Sequence, residues 1–308
     1  MLLRAALISL LLTAPAAAQA TRGRVSFSLL AGGGYASDVF VGAGMGHDGL
    51  FQVTPSGRLD LSLAPTWKLA ASADVSYGHY VASEFSSLSQ SAALEGRWLG
   101  GERWEASLAA AGEHANYSLG APVDPALVSS PSVSSTLAAR LSSLVRLRAA
   151  GFEWRVAGVA GARSSTSGSA TVPEKEVAFL AGAMRPLART LSVAATYKLS
   201  RTVSELPDFT YTSHALFALL SWRVQELDLG AQLQLQTSAL GTGAREELGR
   251  ITASAAHPMT EDVALEAVYA FTANHAENAP GSSQPTLPSA TLHLAFLAIR
   301  WRFAEASW

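Results

Sequence analysis

Between Phe51 and Leu63 the chain alternates with a period of two, and no helix can satisfy that pattern. Phe51, Val53, Pro55, Gly57, Leu59, Leu61 and Leu63 share one face, while Gln52, Thr54, Ser56, Arg58, Asp60 and Ser62 share the other. Residues 67–81 repeat it, with Trp67, Leu69, Ala71, Ala73, Val75 and Tyr77 opposite Lys68, Ser72, Asp74 and Ser76. Residues 227–236 do so again, setting Leu227, Leu229, Ala231, Leu233 and Leu235 against Asp228, Gly230, Gln232, Gln234 and Gln236. A sheet with one apolar and one polar face follows from such strands.

The pattern is weaker elsewhere but continues along the chain. It predicts strands near 24–36, 48–64, 66–82, 88–99, 102–118, 134–148, 152–165, 175–186, 189–204, 210–224, 227–238, 247–257, 262–275 and 289–303. That makes about fourteen, with twelve or sixteen also compatible. Two segments are ambiguous. Val177 to Met184 is apolar on both faces, and 136–148 also fits a helix. We read the second as a strand because Leu137, Leu141, Val145 and Leu147 oppose Thr136, Arg140, Arg146 and Arg148. Connections alternate between short (near 65, 100, 150, 188, 225 and 259) and long, an arrangement expected of up-and-down membrane barrels. Mean hydropathy is +0.20. No later run approaches the roughly 18 apolar residues of a membrane helix.

Residues 1–20 read as a secretory signal, with Arg4, an apolar Ala5–Leu12 stretch and Ala18-Gln19-Ala20 before Thr21. Residues 21–308 then form one barrel domain. There is no cysteine, so neither a disulfide framework nor a lipid-modified N-terminal cysteine is expected. A net charge of −2 gives no case for nucleic acid. The seven tryptophans fall beside short turns or the C-terminus. Trp67, Trp98, Trp104, Trp154, Trp222 and Trp301, with Phe303, therefore predict an interfacial belt at the periplasmic rim. Tyr35, Tyr80, Tyr117 and Tyr211 border long loops, with Tyr77 and Tyr269 nearby, which predicts an opposing girdle; Tyr197 fits neither edge.

The signal, the alternation, the loop asymmetry and the aromatic end together resemble Gram-negative outer-membrane β-barrel proteins of the porin-like kind, over the whole mature chain. The final strand, His293 to Phe303, looks like the C-terminal signal read by the barrel-assembly machinery. Five residues follow Phe303, so either Phe303 or Trp308 is the recognised aromatic. A narrower likeness joins Gly33 to Phe40, the Pro55 strand, Tyr197 to Ser200 and Tyr211 to His214 to polysaccharide-export and surface barrels. The resemblance implies an exported outer-membrane protein in contact with outer-membrane lipid and lipopolysaccharide.

A fourteen-stranded barrel is wider than the roughly eight strands whose side chains fill the interior. The expected lumen-lining residues are Arg58, Asp60, Lys68, Asp74, Glu95, Arg97, Arg103, Glu105, Arg140, Arg146, Arg148, Glu153, Arg155, Gln232, Gln234, Arg300 and Arg302. Basic residues prevail, which favours anionic solutes, although Arg–Glu pairing along a polar wall is the alternative for each arginine. The loop 119–133, carrying Pro122, Pro125 and Pro131, is either an infolded constriction or a stiff surface loop. The expected function is passive diffusion of small hydrophilic, anion-leaning solutes. The alternatives are a polysaccharide-secretion barrel with periplasmic export partners, or a structural or adhesive barrel with a closed lumen. The seven histidines show no i, i+4 metal pair. No metal, cofactor or enzymatic activity is expected, although His79, His114 and His275 lie near the outer rim.

Overall fold

A computed structural model describes residues 22–40, 45–82, 85–119, 135–167, 170–206, 210–277 and 290–307. The signal segment, the 119–133 loop beyond Leu119 and Trp308 lie outside these residues. The described chain forms fourteen antiparallel strands: β1 (Arg22–Phe40), β2 (Met45–Ala64), β3 (Trp67–Tyr80), β4 (Phe85–Leu99), β5 (Trp104–Leu119), β6 (Ser135–Ala149), β7 (Phe152–Ser167), β8 (Ala170–Ala188), β9 (Leu191–Ser204), β10 (Tyr211–Val224), β11 (Leu227–Leu240), β12 (Arg245–Pro258), β13 (Val263–Glu277) and β14 (Ala290–Ser307). Each pairs with its sequence neighbours, and β14 closes on β1.

Tracing the register once around the sheet returns to β2 displaced by about 18 residues, a shear that tilts the strands by roughly 40°. With strands about 4.8 Å apart, the backbone cylinder has a radius of about 14 Å.

The two ends differ. At one, the turns are tight: residues 65–66, 150–151, 189–190 and 225–226 each join a strand pair. Ala150 and Gly151 both take positive φ, 53° and 76°, the geometry of a mirror-image hairpin turn that matches strand twist. This is the turn end, and the other is the loop end. At the loop end the strands run further than the apolar pattern does. Ser165↔Val172 and Thr166↔Thr171 still pair where residues 166–174 read as a loop. Hydrophobic alternation stops where the apolar environment stops, but backbone pairing needs no apolar side chain.

The packing is inside-out. Among the described residues, the buried apolar side chains apart from Leu61 are alanines, including Ala36, Ala115, Ala138, Ala178 and Ala298. Large apolar side chains are exposed on the outer surface, with Val177 at 65% and Leu137 at 57%. A contiguous apolar exterior of this extent demands a non-aqueous surrounding. The segment 177–184 resolves its ambiguity accordingly. Val177 and Phe179 are exposed outward, while Ala178 is buried and Met184 meets the inward Arg155 guanidinium at 3.6 Å.

Closure of the barrel depends on Gly32 and Gly34. A Cβ on Gly32 would stand 2.6 Å from the Ala298 Cβ and collide with the Leu297 carbonyl; one on Gly34 would collide with the Ala295 carbonyl. Gly32 and Gly34 therefore let β14 approach β1, whereas Gly33 between them faces only the Leu50 carbonyl of β2.

Candidate functional site

Strand alternation carries the polar residues to the inner wall. Short hydroxyl and amide ladders line β1–β3, with Ser28–Ser56 at 2.8 Å, Thr54–Ser76 at 2.8 Å and Gln52–Ser76 at 3.0 Å. Gln232 and Gln234 lie on the inner face of β11, and Gln234 donates to Gln236 at 3.1 Å.

Charges at the turn end form a chain of pairs. On β2, Arg58 and Asp60 meet at 2.8 Å. On β4, Arg97 holds Glu95 at 3.1 Å and reaches Glu105 of β5 at 3.2 Å. Glu105 is also held by Arg146 of β6 at 3.1 Å. Glu153 of β7 sits between Arg155 at 2.6 Å and Arg148 of β6 at 3.6 Å. Arg300 forks onto Glu266 of β13, one arm at 3.2 Å, and Arg302 approaches Glu305 at 3.9 Å.

Lys68 shares a cavity of about 680 Å³ with Asp60, Glu95 and Arg97, yet has no ion-pair partner among the described residues. Asp74 accepts from Ser91 at 2.8 Å. Arg140 lies further toward the loop end, in a cavity of about 280 Å³ beside Arg163, Glu174, Glu176 and Lys198.

One sequence expectation needs correcting. Arg103 falls in the exposed β4–β5 turn, because β5 begins at Trp104. The turn needs Gly101 at φ 89° and the two residues after it before pairing starts, so Arg103 sits at the rim and not on the wall.

Several inner-wall residues were not anticipated: Arg24 with Glu305 at 2.9 Å, Arg163 with Glu174 at 2.9 Å, Lys198 with Glu176 at 2.8 Å, Arg223 with Asp228 at 2.9 Å, and Glu266. The β8 members were hidden by the apolar run beside them. Arg223 and Asp228 carried a signal, since a two-residue turn sets them directly opposite each other.

The aromatics divide between the faces. Trp67, Trp98, Trp104, Trp154, Trp222 and Trp301 are all exposed, 43–52%, at the turn end, with Phe303 at 54%. Trp67 and Trp98 are direct cross-strand partners, and Phe303 stacks on Phe27 with ring centroids 6.5 Å apart. Tyr35 and Tyr77 face outward toward the loop end, and Tyr197 and Tyr269 face outward near mid-strand. Tyr80, Tyr117 and Tyr211 do not. They alternate onto the inner face, where Phe85 bridges Tyr80 and Tyr117 at 5.7 and 6.0 Å. Nearness to a loop fixes a residue's level, but only its parity along the strand fixes its face.

A closed antiparallel barrel with an apolar exterior, an aromatic belt and a charged interior is a membrane β-barrel. No family model matches the chain, and no curated protein matches its sequence. Among solved structures it is similar to the outer-membrane expressed OmpT of Vibrio cholerae (TM-score 0.53, 10% identity, covering 91% of this chain and 98% of that one). It is also similar to the TodX monoaromatic hydrocarbon channel deltaS2 mutant (0.52, 9%, 93% and 91%) and the CymD monoaromatic hydrocarbon channel (0.51, 10%, 91% and 88%). The likeness is one of fold: this chain is built as an outer-membrane β-barrel of fourteen strands.

Proposed function

We propose that the barrel is an outer-membrane channel for passive diffusion of small hydrophilic solutes, with its turn end in the periplasm and a mild preference for anions. A backbone radius of about 14 Å is more than inward side chains fill, so the lumen has room for water and solute. The observation that carries the preference is the residue of positive charge at the turn end. There the acids Asp60, Glu95, Glu105, Glu153 and Glu266 are all engaged by arginine, while Lys68 and, in the same cavity, Arg22 remain over. A throat with uncompensated cations raises the local concentration of anions.

Pairing also limits the effect, because each Arg–carboxylate pair cancels most of its own field at the axis. The preference is therefore modest. Purified barrel in a planar bilayer is expected to give stepwise conductance, and in a salt gradient a reversal potential displaced toward the anion. No conductance overturns the channel reading; cation selectivity overturns the charge argument alone.

A further inference from the structure

On the lipid-facing surface Arg245 is paired with Glu247, and Arg185 near the turn end lies over the Phe152 ring. Toward the loop end the Arg245–Glu247 separation is 3.4 Å, and His275 lies 3.8 Å from Glu277. The face of β8–β10 differs. Lys175 and Arg201 are both exposed, and neither has an ion-pair partner among the described residues. Val177 pairs with Arg201 and Lys175 with Val203, so the two cations stand diagonally on one face, within reach of a shared ligand. Arg201 is opposite Thr212, and His214 stands two residues along β10 on the same face, its Nδ1 2.6 Å from the Tyr197 hydroxyl.

Nearby acids do not neutralise this cluster. Glu174 and Glu176 alternate to the inner face and are held there by Arg163 and Lys198. Glu205, just past β9, pairs with neither cation. On the turn-end side the cluster borders an apolar wall of Val177, Phe179, Leu199 and Leu216.

We infer that this face binds the phosphorylated headgroup of an outer-leaflet glycolipid. One phosphate sits between Lys175 and Arg201, and the acyl chains lie along the apolar wall. Like charges held together at the edge of an apolar surface are unfavourable alone and become favourable with an anion between them. Phosphate supplies oxygens for the arginine fork and a charge for the ammonium. The headgroup needs apolar chains attached, because the apolar strip starts one residue pair below. The inference rests on the loop end facing outward and does not require the barrel to conduct.

The test is native mass spectrometry of the full folded barrel in detergent, titrated with doubly phosphorylated lipid A, with its dephosphorylated counterpart, and with inorganic phosphate. Wild type is expected to bind the phosphorylated lipid about tenfold more tightly than the dephosphorylated one. Lys175→Gln with Arg201→Gln abolishes that difference, while Lys175→Arg with Arg201→Lys retains it. Arg245→Gln, whose cation is already paired, leaves it unchanged. Equal binding of the two lipids by wild type overturns the inference, and so does full binding by the double glutamine variant. Displacement of the lipid by millimolar inorganic phosphate overturns the lipid assignment, leaving a simple anion site. The heat-dependent gel shift of each variant reports folding, and loss of binding counts only in variants that keep it. Conductance is measured separately, so failure here leaves the channel reading standing.

Discussion

Glu105→Gln is the sharpest probe of the lumen. Glu105 is only 13% exposed and is shared by Arg97 at 3.2 Å and Arg146 at 3.1 Å. The substitution preserves shape and leaves one uncompensated positive charge on the wall. The wall charge lies about 10 Å from the axis once inward side chains are subtracted from the backbone radius. At that distance one charge shifts a monovalent ion by about 0.4 kcal/mol in water. Screening in 0.1 M salt reduces this to about 0.15 kcal/mol. Anions gain about 1.3-fold and cations lose as much, so the anion-to-cation permeability ratio rises about 1.7-fold. The assay is the reversal potential of single channels in a gradient centred near 0.1 M, repeated near 1 M, where a Debye length of about 3 Å should erase the change. A shift toward cations refutes the reasoning, as does an equal shift at both salt concentrations. The variant is also expected to lose about 1–2 kcal/mol of stability, because two half-buried guanidiniums lose their shared anion. The temperature of its gel-mobility shift checks this.

Other predictions test the scaffold. Gly32→Ala should destabilise the barrel by about 1–3 kcal/mol through overpacking. Gly33→Ala, whose Cβ would meet only the Leu50 carbonyl at 3.5 Å, should not; equal refolding yields for both would refute the close-approach account of the seam. Ala150→Gly should stabilise the hairpin by about 1 kcal/mol, since φ 53° is strained for a residue with a Cβ. Denaturant midpoints of the two proteins check this. Tryptophan fluorescence in vesicles should be quenched by lipids brominated near the headgroup and resist aqueous iodide. The opposite pattern would mean the rings face water.

Much of the architecture was legible in the sequence because a period of two is a direct image of which face a residue takes. All fourteen strands were readable, and so were the tight turns that join them. Boundaries at the loop end were not. Thr166 and Thr171 pair through the backbone while their side chains carry no apolar signal. Nor was the face of Tyr80, Tyr117 and Tyr211 legible from their nearness to loops. For the inner wall, the arginines and glutamates of β2–β7 stood out because apolar neighbours alternate with them. Glu174 and Glu176 did not, since Ala178, Leu180 and Gly182 give the inner face of β8 the same small or apolar character as its outer face. The closeness of Gly32 to Ala298 depends on residues more than 260 apart, and no local pattern encodes it.

The wall also carries a signature with a functional consequence. Arg58-x-Asp60, Glu95-x-Arg97 and Glu153-x-Arg155 each place opposite charges two residues apart. In a strand that spacing sets both on the same face, about 6.6 Å apart along the backbone, within reach of an arginine. Such a pair is nearly neutral when seen from the axis, so selectivity belongs to the charges left over and not to the arginine count. Removing a pair and removing an unpaired charge should therefore differ. Arg58→Gln with Asp60→Asn is expected to leave the reversal potential unchanged within error. Lys68→Gln should lower the anion-to-cation ratio by about 1.7-fold at 0.1 M salt, the mirror of Glu105→Gln. If instead the double variant loses as much anion preference as Lys68→Gln, paired arginines act on permeant ions individually, and the wall is a true charge ring rather than a neutralised one.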